Sequence, residues 1–190
     1  SPVVVDTSMQ SKLTIGAWAY AASTVPHNQQ HFLLAVDDGV QLPCLAQERR
    51  DGIPSDRRGW SACGQDHLFA GGTDTAGEWV FLAGVYDLDP LDHSGTLTLY
   101  VQDQVYTDTI SAFPGERWDQ LYLGSRLGEL SGRYHGLIDN VFIFAEALTA
   151  SQIAAATAAG SSTSSDSNAW RCRSMSWYHL CAIWQVQVSF

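Results

Sequence analysis

The chain has 190 residues, of which 45 % are hydrophobic and 16 % charged. That is material for one packed core with a short appendage, and it excludes a chain disordered throughout. Twenty acidic residues against ten basic ones leave a net charge of -10, which opposes the phosphate neutralisation that nucleic acids and anionic membrane surfaces require.

No run of about 18 apolar residues is present to cross a membrane as a helix, and the opening residues lack the charged-then-apolar order of a secretory signal. From Leu13 to Ile143, short stretches rich in Val, Ile, Leu, Tyr, Phe and Trp alternate with Gly, Pro, Asp, Asn and Ser clusters. That is the pattern of an all-β domain. The stretches predict strands over 12–19, 30–36, 40–46, 59–63, 66–70, 78–86, 96–102, 105–110, 120–124 and 134–144. In Thr96–Val101 the alternation puts Leu97, Leu99 and Val101 on one face, as in a half-buried strand. Asp103-Gln104 before Val105 has the length of a two-residue hairpin loop and asks for a positive φ at Gln104.

One segment reads as helix: 149–159, with Thr149 or Ser151 as N-cap, an Ala run with Leu148 and Ile153 for the core, and a stop at Gly160. Residues 160–168 are almost purely Ser, Thr, Gly and Asp and read as a linker. The tail, 169–190, turns aromatic, and Trp184, Val186, Val188 and Phe190 alternate with polar residues, which predicts a strand packing on a sheet. The expected organisation is therefore a sandwich over 1–159, a linker over 160–168 and a cysteine-containing tail over 169–190.

Cys44 and Cys63 have 18 residues between them, and Cys172 and Cys181 have 8, with no CxxC spacing among the four. Zinc ribbons and thioredoxin-like redox sites are disfavoured. Two disulfides in an oxidising compartment fit the even count, although four cysteines allow three pairings. The local couples are the expected ones: Cys44–Cys63 across the Arg- and Asp-rich excursion from Pro43 to Gly64, and Cys172–Cys181 in the tail. His27 and His31 stand four apart, but Pro26 and the apolar run after Phe32 place them at a loop entering a strand rather than on a metal-binding helix. No ExDxE run, GxSxG elbow, Walker loop or GxGxxG turn is present, so the paired carboxylates of glycoside hydrolysis have no candidate and a non-catalytic role is expected.

Five motifs in order carry a family resemblance. Leu13-Thr14-Ile15-Gly16-Ala17-Trp18, Gly77-Glu78-Trp79-Val80-Phe81-Leu82-Ala83-Gly84-Val85-Tyr86-Asp87 and Gly95-Thr96-Leu97-Thr98-Leu99-Tyr100-Val101 are followed by Leu121-Tyr122-Leu123-Gly124. The last runs from Tyr134 through Gly136 and Ile138-Asp139-Asn140 to Phe144, then Ala147-Leu148-Thr149. Together they resemble the laminin G-like, concanavalin A-like jelly-roll domains of the bacterial type found in extracellular multidomain proteins. The resemblance implies an antiparallel jelly-roll β-sandwich. The family's usual opening strand has only Val3-Val4-Val5-Asp6 as a faint substitute, leaving a sheet edge for the tail strand to cover.

For function, the resemblance implies an extracellular or cell-surface recognition module that binds a glycan or a protein partner. A different class, a structural subunit of a surface fibre or sheath assembled as a homo-oligomer or filament through its tail, is the alternative. Trp18 and Trp79 sit in strand patterns and are expected to fill the core. Trp60 and Trp118 sit in loop-like surroundings, where a ring either packs into the core or an interface or stays exposed; they are the candidates for stacking on a sugar if exposed. The resemblance also implies that Asp139 either bears on a calcium site or supports the neighbouring strand by bonding backbone amides. It is the best single candidate calcium ligand, and the acidic loops 37–39 and 87–92 are either further carboxylate sources or plain solvated turns; calcium needs six to eight oxygens.

Overall fold

The computed structural model describes residues 3–4, 11–26, 29–37, 43–50, 57–63, 68–69, 75–111, 120–125, 132–161, 181–184 and 188–189. The strands are β1 (Val3–Val4), β2 (Lys12–Ala21), β3 (Gln29–Asp37), β4 (Cys44–Arg50), β5 (Arg57–Cys63), β6 (Leu68–Phe69), β7 (Trp79–Leu88), β8 (Gly95–Val101), β9 (Gln104–Ile110), β10 (Gln120–Leu123) and β11 (Gly136–Phe144). Helix α1 (Ala150–Ser161) and strands β12 (Cys181–Trp184) and β13 (Val188–Ser189) complete the described chain. They form two antiparallel sheets. The first has the order β1-β10-β3-β4-β5-β6, and the second has the order β12-β11-β2-β7-β8-β9 with β13 also on β11. This is the expected jelly-roll sandwich.

Period-two alternation builds the core between the sheets. Leu13, Ile15, Ala17, Ala19 and Ala21 of β2 face inward with Val80, Leu82, Tyr86 and Leu88 of β7 and Leu97 and Leu99 of β8, opposite Leu34, Leu45, Ala62 and Leu121 of the first sheet. β2 and β7 are apolar on their other face too, because α1 covers it: Leu148 and Ile153 pack there on Phe81, Ala83, Val85 and Phe142. The start of α1 is a reciprocal cap. The Gln152 amide donates to Thr149 Oγ1 at 3.4 Å, and the Thr149 amide donates to Gln152 Oε1 at 2.8 Å, which satisfies two amides that a helix end leaves unpaired. Thr14 ties this corner to the sheet, its hydroxyl donating to the Glu146 carbonyl and accepting the Leu148 amide.

Cys44 and Cys63 are directly opposed in the β4–β5 register and joined as a disulfide. Tyr86 reaches them from the second sheet, its hydroxyl accepting the Cys44 amide at 3.1 Å and donating to the Cys63 carbonyl at 2.8 Å. Burial holds this phenol far above the ordinary tyrosine range.

Several sequence expectations shift. β4 starts at Cys44 and runs on through Glu48, Arg49 and Arg50, charged residues that obscured its end. The hairpin turn lies one residue early: Val101 pairs with Gln104, and the positive φ of 54° falls on Gln102. Val3–Val4 is a real edge strand, pairing with β10. α1 passes through Gly160 to Ser161, two residues beyond its expected end. The tail strand forms on β11, with Trp184 opposite Val141 and Val188 opposite Ile138, both core positions. Cys172 and the stretch 162–168 lie outside the described residues.

Candidate functional site

Antiparallel pairing brings the β2–β3, β4–β5, β6–β7, β8–β9 and β10–β11 connections to one end of the sandwich. There the inward row of the first sheet turns from apolar to polar. Ala62 and Leu45 are succeeded by the register row Trp60–Gln47–His31, and that row by Arg58–Arg49–Gln29. His31, Gln47 and Trp60 are all buried. Trp60 donates its indole N–H to Thr75 Oγ1 at 2.7 Å and tilts against Tyr134 at 6.3 Å between ring centroids. Tyr134 is itself fully buried, and its hydroxyl has no hydrogen-bond partner among the described residues.

His31 of β3 stacks on His135, the residue that leads into β11, with ring centroids 5.1 Å apart. Burial, and secondly the neighbouring His135, hold the His31 imidazole below its ordinary value of 6.5. The folded state therefore prefers the neutral ring while the unfolded chain takes up a proton near pH 6.5. Stability from this group is present above pH 6.5 and is lost as pH falls toward the lower folded value. The melting temperature is expected to drop between pH 7.5 and 5.5, and to drop less in His31→Gln. An identical pH profile for the two proteins would show that His31 carries none of the effect.

The outer face of the second sheet presents a different surface at the same end. Tyr20 and Trp79 are register partners, with ring centroids 5.8 Å apart. Trp79 is 38 % exposed, one of three exposed large hydrophobics among the described residues, with Leu91 and Val105. Gln102 anchors it from the β8–β9 turn: the Gln102 side-chain amide donates to the Trp79 carbonyl and its backbone amide to the Phe81 carbonyl. Next along the face, Trp18 packs edge-on against Phe81 at 5.7 Å.

Strand parity decides the tryptophans. Trp60, open at the sequence level to either core packing or stacking on a sugar, is only 2 % exposed and lies in the core, because its position in β5 has the inward parity of Ala62; it is no stacking residue. Trp79, expected in the core, has the outward parity of Phe81, Ala83 and Val85, and at the strand's first position it lies beyond the cover of α1. Trp118 lies outside the described residues. Parity counted back from Tyr86 was the available signal, masked by β7 being apolar on both faces.

Asp139 sits in β11 beside a register shift, half-buried, and its Oδ1 accepts the amide of Asn140, which has φ 50°. Among the described residues no three His, Cys, Asp or Glu side chains come together around a cation position. Asp139 is in no such group among the described residues, and the contact seen for its carboxylate is with the bulge it braces. The acidic turn 87–92 behaves as turn chemistry, Asp89 accepting the Leu91 amide and Asp92 the Ser94 amide. The Ser94 bond is the main reason that the Asp92 carboxyl is held below its usual range.

A sequence model described as the concanavalin A-like lectin/glucanases superfamily matches residues 2–154, most of the chain. The chain belongs to this superfamily. Among solved structures, a Bacteroides ovatus protein named for carbohydrate binding is similar with a TM-score of 0.59 at 18 % identity, over 80 % of this chain and 42 % of its own. This superfamily member therefore spans less than half the length of that protein. Domain 4 of AbnA, a GH43 extracellular arabinanase from Geobacillus stearothermophilus solved with arabinotriose, is similar with a TM-score of 0.54 at 15 % identity, over 82 % of this chain and 75 % of its own. No curated protein sequence matches. Helix α1 is too short to cross a membrane, and no described helix is long and apolar enough to do so.

Proposed function

We propose that this protein is a non-catalytic, extracellular recognition module that binds glycan on the Trp79–Tyr20 platform. The observation that carries the reading is the partly exposed Trp79, held in place by its strand, by Tyr20 and by Gln102 rather than left on a free loop. A sugar ring has one face of apolar C–H groups, which an aromatic ring covers while the sugar hydroxyls stay wet; an indole with one open side is suited to that contact. The carbohydrate-binding name of one similar structure and the arabinotriose in the other support the reading. The Cys44–Cys63 disulfide supports an oxidising, extracellular setting.

A glycan array followed by calorimetry tests it. Trp79→Ala is expected to weaken the best glycan by about tenfold or more, the usual effect of losing an aromatic anchor, with unchanged far-ultraviolet circular dichroism. Wild-type affinity in Trp79→Ala would remove the platform from the account. Capture of a protein ligand with no glycan would replace the glycan by a protein partner. An ordered polymer on size exclusion, with no glycan bound, would favour the surface-fibre subunit instead.

A further inference from the structure

Strand β9 closes the second sheet on one side, and among the described residues no strand pairs with its outer edge. The two-residue turn makes Val101 and Gln104 a hydrogen-bonded pair, so the main-chain groups of Gln104, Tyr106, Asp108 and Ile110 bond β8, and those of Val105, Thr107 and Thr109 point out of the sheet. The Gln102 amide, which donates the other way to the Phe81 carbonyl, fixes the same phase. A free edge of this kind is a template for a further strand, and proteins keep such edges short or charged. β1, an edge of the first sheet, has two residues, whereas β9 has seven. It also begins on Val105, which is 55 % exposed.

Asp108 breaks the pattern of this strand. Its register partner is the core residue Leu97, and its neighbours on the same side are Tyr106, packed against the core, and the buried Ile110. A carboxylate therefore stands in an exposed position on the inward side of the edge, and its Oδ1 accepts the Thr109 amide at 2.8 Å, one of the three amides aimed out of the sheet. β9 matches itself rung for rung in an antiparallel two-fold pairing centred on Thr107, with Val105 opposite Thr109 of the second copy and Asp108 opposite Tyr106, so both chains would gain the same bonds. That pairing sets the two Asp108 side chains on the diagonal, about 7–8 Å apart, draws both from water, and requires each Thr109 amide to give up its carboxylate. We propose that the β9 edge is a latent pairing surface for a second copy of this chain, and that Asp108 keeps it closed and the module monomeric.

Sedimentation velocity on the full chain at rising concentration reads the outcome. The wild type is expected to stay monomeric. Asp108→Thr should self-associate at least about tenfold more tightly, from relief of one like-charge contact and release of two blocked amides, and its melting temperature should rise with concentration. Asp108→Asn keeps the shape and an acceptor for Thr109 and removes only the charge, so it too should pair more tightly than the wild type. Thr107→Pro added to Asp108→Thr deletes the central outward amide, which bonds nothing in β8, and an edge strand accepts proline at such a position; this double variant should fold and return to monomer. Monomeric Asp108→Thr would overturn the proposal. So would a wild type already paired through β9, or a dimer that survives Thr107→Pro and therefore uses another surface. Precipitation of Asp108→Thr that Thr107→Pro reverses would support pairing along this edge, and precipitation that it leaves unchanged would count against it.

Discussion

Cys44→Ala/Cys63→Ala is expected to lose about 3 kcal/mol of stability, the chain-entropy value for a loop of this order; the two cysteines are 19 residues apart in sequence. For a domain of this size that is about 6–12 °C in melting temperature. The loop is closed where neither strand can relax around the lost bond. Cys44 is fully buried and Cys63 is 6 % exposed, and they pack with Phe32, Ala35 and Ala46 under partial cover from Tyr122. Both backbones are also bonded to the Tyr86 hydroxyl, so shrinking the side chains leaves a gap beside a fixed anchor. Thermal melts of the oxidised protein and the double variant decide the matter. A difference below about 1 kcal/mol would mean that the β4–β5 ladder holds the loop unaided.

Gly136→Ala is expected to have an effect of similar size for a different reason. A Cβ at Gly136 would run into the Tyr20 carbonyl oxygen and stand 2.9 Å from the Tyr134 ring. One obstacle is backbone of the neighbouring strand and the other is a buried ring, so neither can swing aside. Gly136 is the first residue of β11 and pairs with Ala21, which lets the strand start flush against β2. Overpacking of this kind costs about 3 kcal/mol at its upper usual range. Because the strain falls between Tyr20 and Tyr134, near-ultraviolet circular dichroism should change with the melt. Gly136→Ala melting within 2 °C of wild type would show that β11 shifts along β2 at little cost.

The all-β architecture was legible because its cues are local. Thr96–Val101 shows its alternation openly since one of its faces stays wet, and Thr149 or Ser151 before an Ala run announces a capped helix. Burial on both faces removes the alternation, and that is why β7 concealed the parity of Trp79. Trp60 falls in the short strand expected over 59–63, but the Arg57-Arg58-Gly59 run before it hides which way it faces, and its place in the core comes from the register of β5 on β4. The opposition of Arg49 to Arg58 and of Arg50 to Arg57 depends on one partner strand and its alignment. Adjacent residues in the sequence, Arg49-Arg50 and Arg57-Arg58, look only like two short basic clusters.

The centre of the second sheet is assembled from distant parts of the chain. β2 meets β7 at Leu13–Tyr86 and β11 at Ile15–Ile143, so neither of its neighbours can be reached by extending a hairpin. Both contacts require large loops to close before any backbone bond compensates the lost entropy. Refolding should consequently be slow for a domain of this size, in the millisecond-to-second range typical of non-local sandwiches. Until β7 and β11 arrive, the doubly apolar β2 stays open to pairing with any other chain nearby, so dilution during refolding governs how much native protein is recovered.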